Sequence, residues 1–565
     1  MKKLFLAIGA AAAITACAHD PQNNTGALQS GADAISTELH RHIAELASDA
    51  YEGRAPGTPG EEKTIAYLVE QFQALGLEPG NQGEWLQDVP ITSVVPSHDA
   101  VLSLRGSDFS ADLAFGDDMM LFTLQQMAST RLDDSPLVFA GYGINAPERG
   151  WNDYADVDVT GKTVVVLIND PGYATQDPDV FNGNAMTYYG RWTYKYEEAA
   201  RQGAAGVIIV HETAPAAYAW DVVRSSWSAG QIGLTAENRN ADRAAVQGWI
   251  PVEQAERLFA AAGMDYAQMK AAAARPGFRA RPLGDIAASV TLNNQVNSMV
   301  SRNVVALLPG SESPDEVVIY TAHWDHLGVR PNEGDDDIYN GASDNASGTA
   351  ALFSLARMFK DQDTPPERSV MFLAVTAEES GLLGSKWYGE NPVFPLQKTV
   401  ANFNMDNIAA GQLGLTRDVA VVGFGNSELE NYLLDAVQEQ GRVVVQEPFP
   451  EKGFYYRSDH FSLARVGVPA LYLTRSTDSI EHGKEWGAAR LNRYIRDHYH
   501  KPSDEYSPDW DLRGAVQEVQ LLFTMGNKLA NNSDFPRWND KVEFKATREA
   551  TMAAPASPSN TENGQ

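Results

Sequence analysis

Five stretches of the chain end in side chains that bind hard or borderline cations. The apolar run 317–321 is followed by His323 and Asp325, and the loop 340–345 brings Asp344 to the start of a helical pattern. The run 370–375 leads into Glu378-Glu379-Ser380-Gly381, the run 400–405 leads into Asp406, and far downstream lies His500. Two histidines and three carboxylates, with no cysteine among them, suit zinc or a similar divalent ion. One carboxylate can bridge two ions ~3.5–4 Å apart and leave a position for a shared water or hydroxide. The consecutive Glu378 and Glu379 are the most informative pair. Neighbouring side chains of an extended chain point to opposite sides, so both reach one site only if the chain turns, and Ser380-Gly381 supplies turn residues. One glutamate can then bind metal while the other takes a proton from the attacking water. Asp325, two residues after His323, falls on the same side and can hold the imidazole through its second nitrogen.

Together these residues resemble a known family. His323-Trp324-Asp325, Asp344-Asn345-Ala346-Ser347-Gly348, Glu378-Glu379-Ser380-Gly381, Met405-Asp406 and His500-Lys501-Pro502-Ser503-Asp504 look like the motifs of the di-zinc aminopeptidases. That group is related to vacuolar aminopeptidase Y and glutamate carboxypeptidase. The resemblance covers residues 37–125 and 287–532. It implies two zinc ions bridged by Asp344, with His323 and Asp406 completing one site and Glu379 and His500 the other. It also implies Glu378 as general base, activating a metal-bridging hydroxide, and Asp325 as the partner of His323. Family members use a tyrosine hydroxyl against the oxyanion a few residues before Ser-Asp-His. Here Phe454-Tyr455-Tyr456-Arg457-Ser458-Asp459-His460 offers Tyr455, the better match, and Tyr456. Gly141-Tyr142-Gly143-Ile144, Trp151-Asn152-Asp153-Tyr154 and Glu198-Ala199-Ala200-Arg201-Gln202-Gly203-Ala204 resemble the protease-associated domain that these enzymes often carry.

The elements that must position these residues alternate between strand and helix. The runs 317–321 and 370–375 are almost continuously apolar, as expected of strands buried on both faces. Helical patterns such as 349–359 and 514–530 intervene. The expectation is an α/β fold: a mixed, largely parallel central sheet with helices on both faces, plus an inserted β-rich domain. Functional groups then belong at the carboxyl ends of the strands. The expected organisation is a signal segment over 1–17, a tether over 18–36, the catalytic domain over 37–129 and 287–532, the insertion over 130–286, and a disordered tail over 533–565.

The chain has 565 residues, 43% of them hydrophobic and 21% charged, which excludes wholesale disorder. With 44 Lys plus Arg against 74 Asp plus Glu, its formal charge of −30 repels phosphate backbones, so nucleic acid is not an expected partner. A peptide substrate is. Cys17 is the only cysteine, which rules out an intramolecular disulfide. It follows Lys2, Lys3, an Ala-rich apolar stretch and Ile14-Thr15-Ala16, a pattern that looks like a bacterial lipoprotein signal. The protein is thus expected to be exported to the cell envelope and held to the membrane only through lipid on Cys17, or else to be soluble in the periplasm or secreted.

An aminopeptidase is the reading favoured by the resemblance. A carboxypeptidase or dipeptidase of the same fold would need a cationic pocket for the substrate carboxylate, and Arg457, Arg475 and Arg490 are the candidates. A glutaminyl cyclase typically uses one zinc, against which the full ligand set argues. An inactive binding protein would be expected to have lost ligands, and this chain has lost none.

Overall fold

A computed structural model describes residues 21–228, 230–330, 336–447, 449–474, 476–540 and 542–554. Cys17 and its signal segment lie outside them, as does Arg475.

The central sheet is mixed. Its middle strands, Arg368–Val375, Ser313–His323, Thr399–Asn404 and Ala470–Thr474, pair in parallel in that order. The long strand Arg281–Leu308 runs antiparallel against Arg368–Val375 on one side. On the other side Asp418–Val422 runs antiparallel to Ala470–Thr474 and parallel to Val443–Gln446. The apolar strand runs divide their side chains between two cores. Val318, Tyr320 and Ala322 face the larger one, shared with the helices Pro21–Leu46, Pro59–Ala74, Ser347–Lys360 and Arg513–Ala530. Val317 and Ile319 face a smaller one with Tyr388 and Leu463. Period-2 alternation with both faces covered explains why the runs 317–320 and 370–375 are apolar without a break.

Register places the chemistry. His323 pairs with Val375, and Thr321 pairs with Asn404. The chain therefore leaves three adjacent parallel strands at one edge of the sheet, just before or after His323, Glu378 and Asp406.

A second layer is built on a second sheet. Strands Ser129–Phe139, Thr163–Leu167, Gly206–His211 and Val246–Pro251 are parallel neighbours. Arg281–Leu308 joins both layers: its first half pairs with Ser129–Phe139, its second half with Leu86–Pro96. This layer starts upstream of the boundary expected at 130. Val101–Gly106 pairs with Arg281–Leu308, Met120–Phe122 pairs with Val246–Pro251, and Leu102, Leu104 and Leu121 lie in the second layer's core. Alternation identified these segments as strands but carries no information about which sheet they join.

Both ends of the catalytic unit also differ from expectation. The first helix begins at Pro21, within the stretch read as tether, and buries Ile35, Leu39, Ile43 and Leu46 at helical spacing. At the other end Trp538, Phe544 and Arg548 are buried and Lys545–Ala553 is helical, in place of a disordered tail from 533. Among the described residues no helix is long and apolar enough to cross a membrane.

The Gly/Pro-rich loop behind the first helix delivers Arg54 beneath the site. Its guanidinium is buried and donates to the carbonyls of Trp324 (2.9 Å), Leu46 (2.7 Å), Asn340 (2.6 Å) and Gly341 (2.9 Å). It thereby ties the loop after His323 to the loop before Asp344. Arg54→Ala leaves four carbonyls short of a donor and removes a cation from beneath the acid cluster. A loss of about 3–5 kcal/mol in urea unfolding is expected. Lysine at this position lacks the forked donors and should rescue little; wild-type stability in Arg54→Ala would contradict this role.

Candidate metal centre

Two groups of donor atoms meet at Asp344. Its Oδ1 lies 3.4 Å from His323 Nε2, which is 3.6 Å from Asp406 Oδ1. Its Oδ2 lies 3.2 Å from His500 Nε2, which is 3.2 Å from Glu379 Oε2. Two ligands about 2.0–2.2 Å from one tetrahedral ion sit roughly 3.3–3.6 Å apart, so these separations suit zinc in both groups. The donor chemistry suits it too, being imidazole and carboxylate throughout. All five side chains expected to bind metal are therefore together, and Asp344 faces both histidines.

Electrostatics point the same way. Partial burial works against a charged imidazole, yet Glu379 and Asp344 hold the pKa of His500 up to about 9. His323 is likewise pushed well up against its burial by Glu378, Asp344 and Asp406. The carboxylates demand positive charge at the two positions where a cation would sit.

Each ligand is held from behind. Asp504 accepts from the backbone N–H of Asp344 (3.0 Å) and of Ser343 (3.2 Å), which fixes the loop carrying the shared carboxylate. Asp406 Oδ2 accepts from Ser458 (2.6 Å), which accepts from Asn404 (2.7 Å), whose Oδ1 accepts from Thr321 (2.7 Å). The chain turns at Ala377, whose φ is +51°, and Gly381 and Leu382 donate to the Glu378 carbonyl, both at 2.9 Å. That turn brings Glu378 and Glu379 to one side. The ligand atoms of His323, Glu378 and Glu379 all lie within 4.8 Å of one another. Burial, then the neighbouring carboxylates Glu379 and Asp406, push the Glu378 carboxyl well up.

Asp325 is placed differently from the sequence expectation. The His323 Nδ1 hydrogen bond goes to the Asp325 main-chain carbonyl at 3.1 Å, while the carboxylate lies 3.8 Å away and accepts from the Glu378 N–H at 3.1 Å. Asp325 thus links the turn that carries Glu378 to His323. Two residues near the metal ligands were not found from sequence. His326 Nδ1 is 2.7 Å from Glu379 Oε1, the oxygen turned away from His500. Tyr499 stacks on the His500 ring at 3.9 Å. The available signal was their adjacency to motif residues.

Tyr455 and Tyr456 make different contacts. The Tyr456 hydroxyl donates to Glu543 (3.0 Å). Tyr455 is buried edge-on to His460 (4.6 Å) and over the turn at Gly423, where an added Cβ would meet its ring at 2.4 Å. Burial pushes its hydroxyl up, and the Asn426 side chain lies against it. Asp459, beside Ser458, accepts from Ser385 (2.6 Å).

Imidazoles and carboxylates gathered at the ends of parallel strands make a donor set suited to a divalent cation. Residues 303–524 match the family model of peptidase family M28. The chain is similar to aminopeptidase YwaD of Bacillus subtilis (32% identity over 113 residues, 20% of this chain and 22% of the relative). It is similar also to mouse aminopeptidase NAALADL1 (34% over 140 residues, 23% and 17%). A longer match, 25% over 386 residues covering 63% of this chain and 49% of the relative, is to a probable glutamate carboxypeptidase of Arabidopsis thaliana. The chain thus aligns with only about a fifth of the length of the first two relatives. Among solved structures, an aminopeptidase from Aneurinibacillus sp. strain AM-1 superposes with a TM-score of 0.48 at 20% identity, covering 88% of this chain and 95% of that one.

Proposed function

We propose that the protein is an exported, zinc-dependent exopeptidase that removes N-terminal residues from peptides. The observation that carries this reading is the convergence of two ligand groups on Asp344 with Glu378 beside them. The names of the relatives, aminopeptidases and zinc metalloproteases, agree with it. His323 and Asp406 would hold one zinc ion, Glu379 and His500 a second, with Asp344 shared. Zinc bound there supplies Lewis acidity toward a carbonyl and brings the pKa of water toward neutrality. Glu378 takes the proton of the attacking water and delivers it to the departing amine. The Tyr455 hydroxyl donates to the oxygen that gains charge as the carbonyl carbon becomes tetrahedral. Asp325, Asp504 and Ser458 keep the reacting groups in place. The carboxylates around the metals also suit a substrate's free α-ammonium.

The test is hydrolysis of free against N-acetylated aminoacyl nitroanilides. Cleavage of the free-amine substrate alone is expected; equal cleavage of both would contradict an aminopeptidase. One observation favours the second reading, a carboxypeptidase or dipeptidase. Arg457, directly before Ser458, lies over the Phe454 ring (5.5 Å) with no carboxylate partner among the described residues. Arg490, by contrast, is engaged with the Gly411 carbonyl (3.0 Å). C-blocked dipeptides separate the two readings, since only an aminopeptidase accepts them.

Export and a lipid anchor on Cys17 rest on the N-terminal sequence pattern. The mass of the mature N-terminal peptide tests both: a diacylglyceryl adduct on Cys17 is expected, and an unmodified peptide starting beyond Cys17 would remove the anchor. The second layer is assigned as a protease-associated domain on its sequence likeness, a role in substrate access going with it.

A further inference from the structure

The M28 match ends at residue 524, yet the polypeptide beyond it returns to the loop that carries Tyr455. Tyr455 lies in a short 3₁₀ turn, Phe454–Tyr456, between the strands Val443–Gln446 and Ala470–Thr474. No ladder of strand hydrogen bonds fixes it. A transition-state donor must nevertheless be held to within about half an ångström. The missing constraint comes from downstream. Phe544 stacks on the Tyr455 ring (6.1 Å between centroids, 17° between planes). Glu543 accepts the hydroxyl of the next residue, Tyr456, at 3.0 Å. Asn539 grips the turn beneath, its N–H donating to the Asn426 carbonyl and its amide to the Gly425 carbonyl, both at 2.8 Å.

That clamp is itself bolted to the peptidase sheet. Trp538 Nε1 donates to the Gly467 carbonyl (2.9 Å). The buried Arg548 donates to the carbonyls of Leu396 (2.8 Å) and Thr399 (2.9 Å), at the start of the strand that leads to Asp406. Gly467 lies so close that a Cβ there would sit 2.8 Å from Arg548 Cα. Tyr455, Trp538 and Phe544 share one small apolar cluster, separate from the large core beneath the metal ligands. Disturbing this cluster can therefore move Tyr455 and leave the ligands where they are.

We propose that Phe544 and Glu543, anchored through Trp538 and Arg548, are positioning residues for Tyr455. The C-terminal segment on this account sets the geometry of oxyanion stabilisation. The proposal rests on the assignment of Tyr455 above.

The experiment is a double-mutant cycle in the full-length, zinc-loaded protein, with Tyr455→Phe, Phe544→Ala and their combination, read as kcat, KM and zinc content. Phe544→Ala is expected to lower kcat by about tenfold to a hundredfold with KM and zinc content little changed, because the interaction lost is made in the transition state. Phe544→Tyr should retain most of the wild-type kcat. The combined variant should be no slower than Tyr455→Phe alone, since each removes the same interaction. An unchanged kcat in Phe544→Ala, or effects that multiply fully in the combination, would overturn the proposal. If Tyr455→Phe itself keeps full kcat, the assignment of Tyr455 fails and the proposal falls with it. A fall in zinc content that tracks the loss of rate would show a merely structural role. Glu543→Gln, which preserves a hydrogen-bond acceptor for Tyr456, should stay near wild type, whereas Glu543→Ala should follow Phe544→Ala.

Discussion

Glu378→Gln should keep its full complement of zinc and lose kcat by about a thousandfold. The amide has nearly the shape of the carboxyl, and Glu378 is not among the five side chains that lie 3.2–3.6 Å from a neighbour across the two donor groups. Only the ability to accept a proton is removed, and general base catalysis contributes typically 10²–10⁴-fold. The check pairs steady-state kinetics with metal analysis on one preparation. Turnover within a few-fold of wild type would sink the assignment, and loss of zinc would make Glu378 a ligand.

Asp344→Ala should do the opposite, emptying both positions at once. Its two oxygens face different histidines, so one substitution takes a donor from each group. His500→Ala, which touches only the group with Glu379, is expected to lose one ion and retain the other. Titration against a chromogenic chelator measures both. Independent, equal losses for the two variants would mean that Asp344 is not shared. Stripping the metal from the wild-type protein should also lower its thermal midpoint, since an ion bound only by the folded state stabilises it by mass action. The crowded carboxylates of Asp344, Glu379 and Asp406 are then left without their cations.

How far sequence alone reached depended on the kind of information each feature needs. The convergence of the five proposed ligands and Glu378 was legible because strand ends in an α/β sheet converge, and the apolar runs before His323, Glu378 and Asp406 marked those ends. Both faces of the sheet were legible from the same runs. His326 was missed because alternation assigns it to the side opposite His323 and Asp325. The strand in fact stops at His323, and the turn that follows swings His326 onto Glu379. The hydrogen bond from His323 to the Asp325 carbonyl, in place of its carboxylate, depends on the same turn.

The ends of the chain show a different failure. Composition labelled the region after 533 as polar, but burial there is achieved by a few residues, Trp538, Phe544 and Arg548, whose partners lie far away in sequence. Three aromatics, Phe535, Trp538 and Phe544, in an otherwise polar stretch were the available signal. Likewise the strands between 101 and 122 had the right period and no marker of their sheet, which is decided by pairing with the remote strand Arg281–Leu308. Periodicity reports local conformation; partner choice is a tertiary property.

The most direct test of the account is the zinc content of the purified protein, measured by elemental analysis after zinc is supplied and excess removed, alongside hydrolysis of a free-amine aminoacyl nitroanilide. The account predicts two ions per chain and activity that disappears with a chelator and returns with zinc. A protein that holds no metal under those conditions would contradict the site, and with it the proposed chemistry.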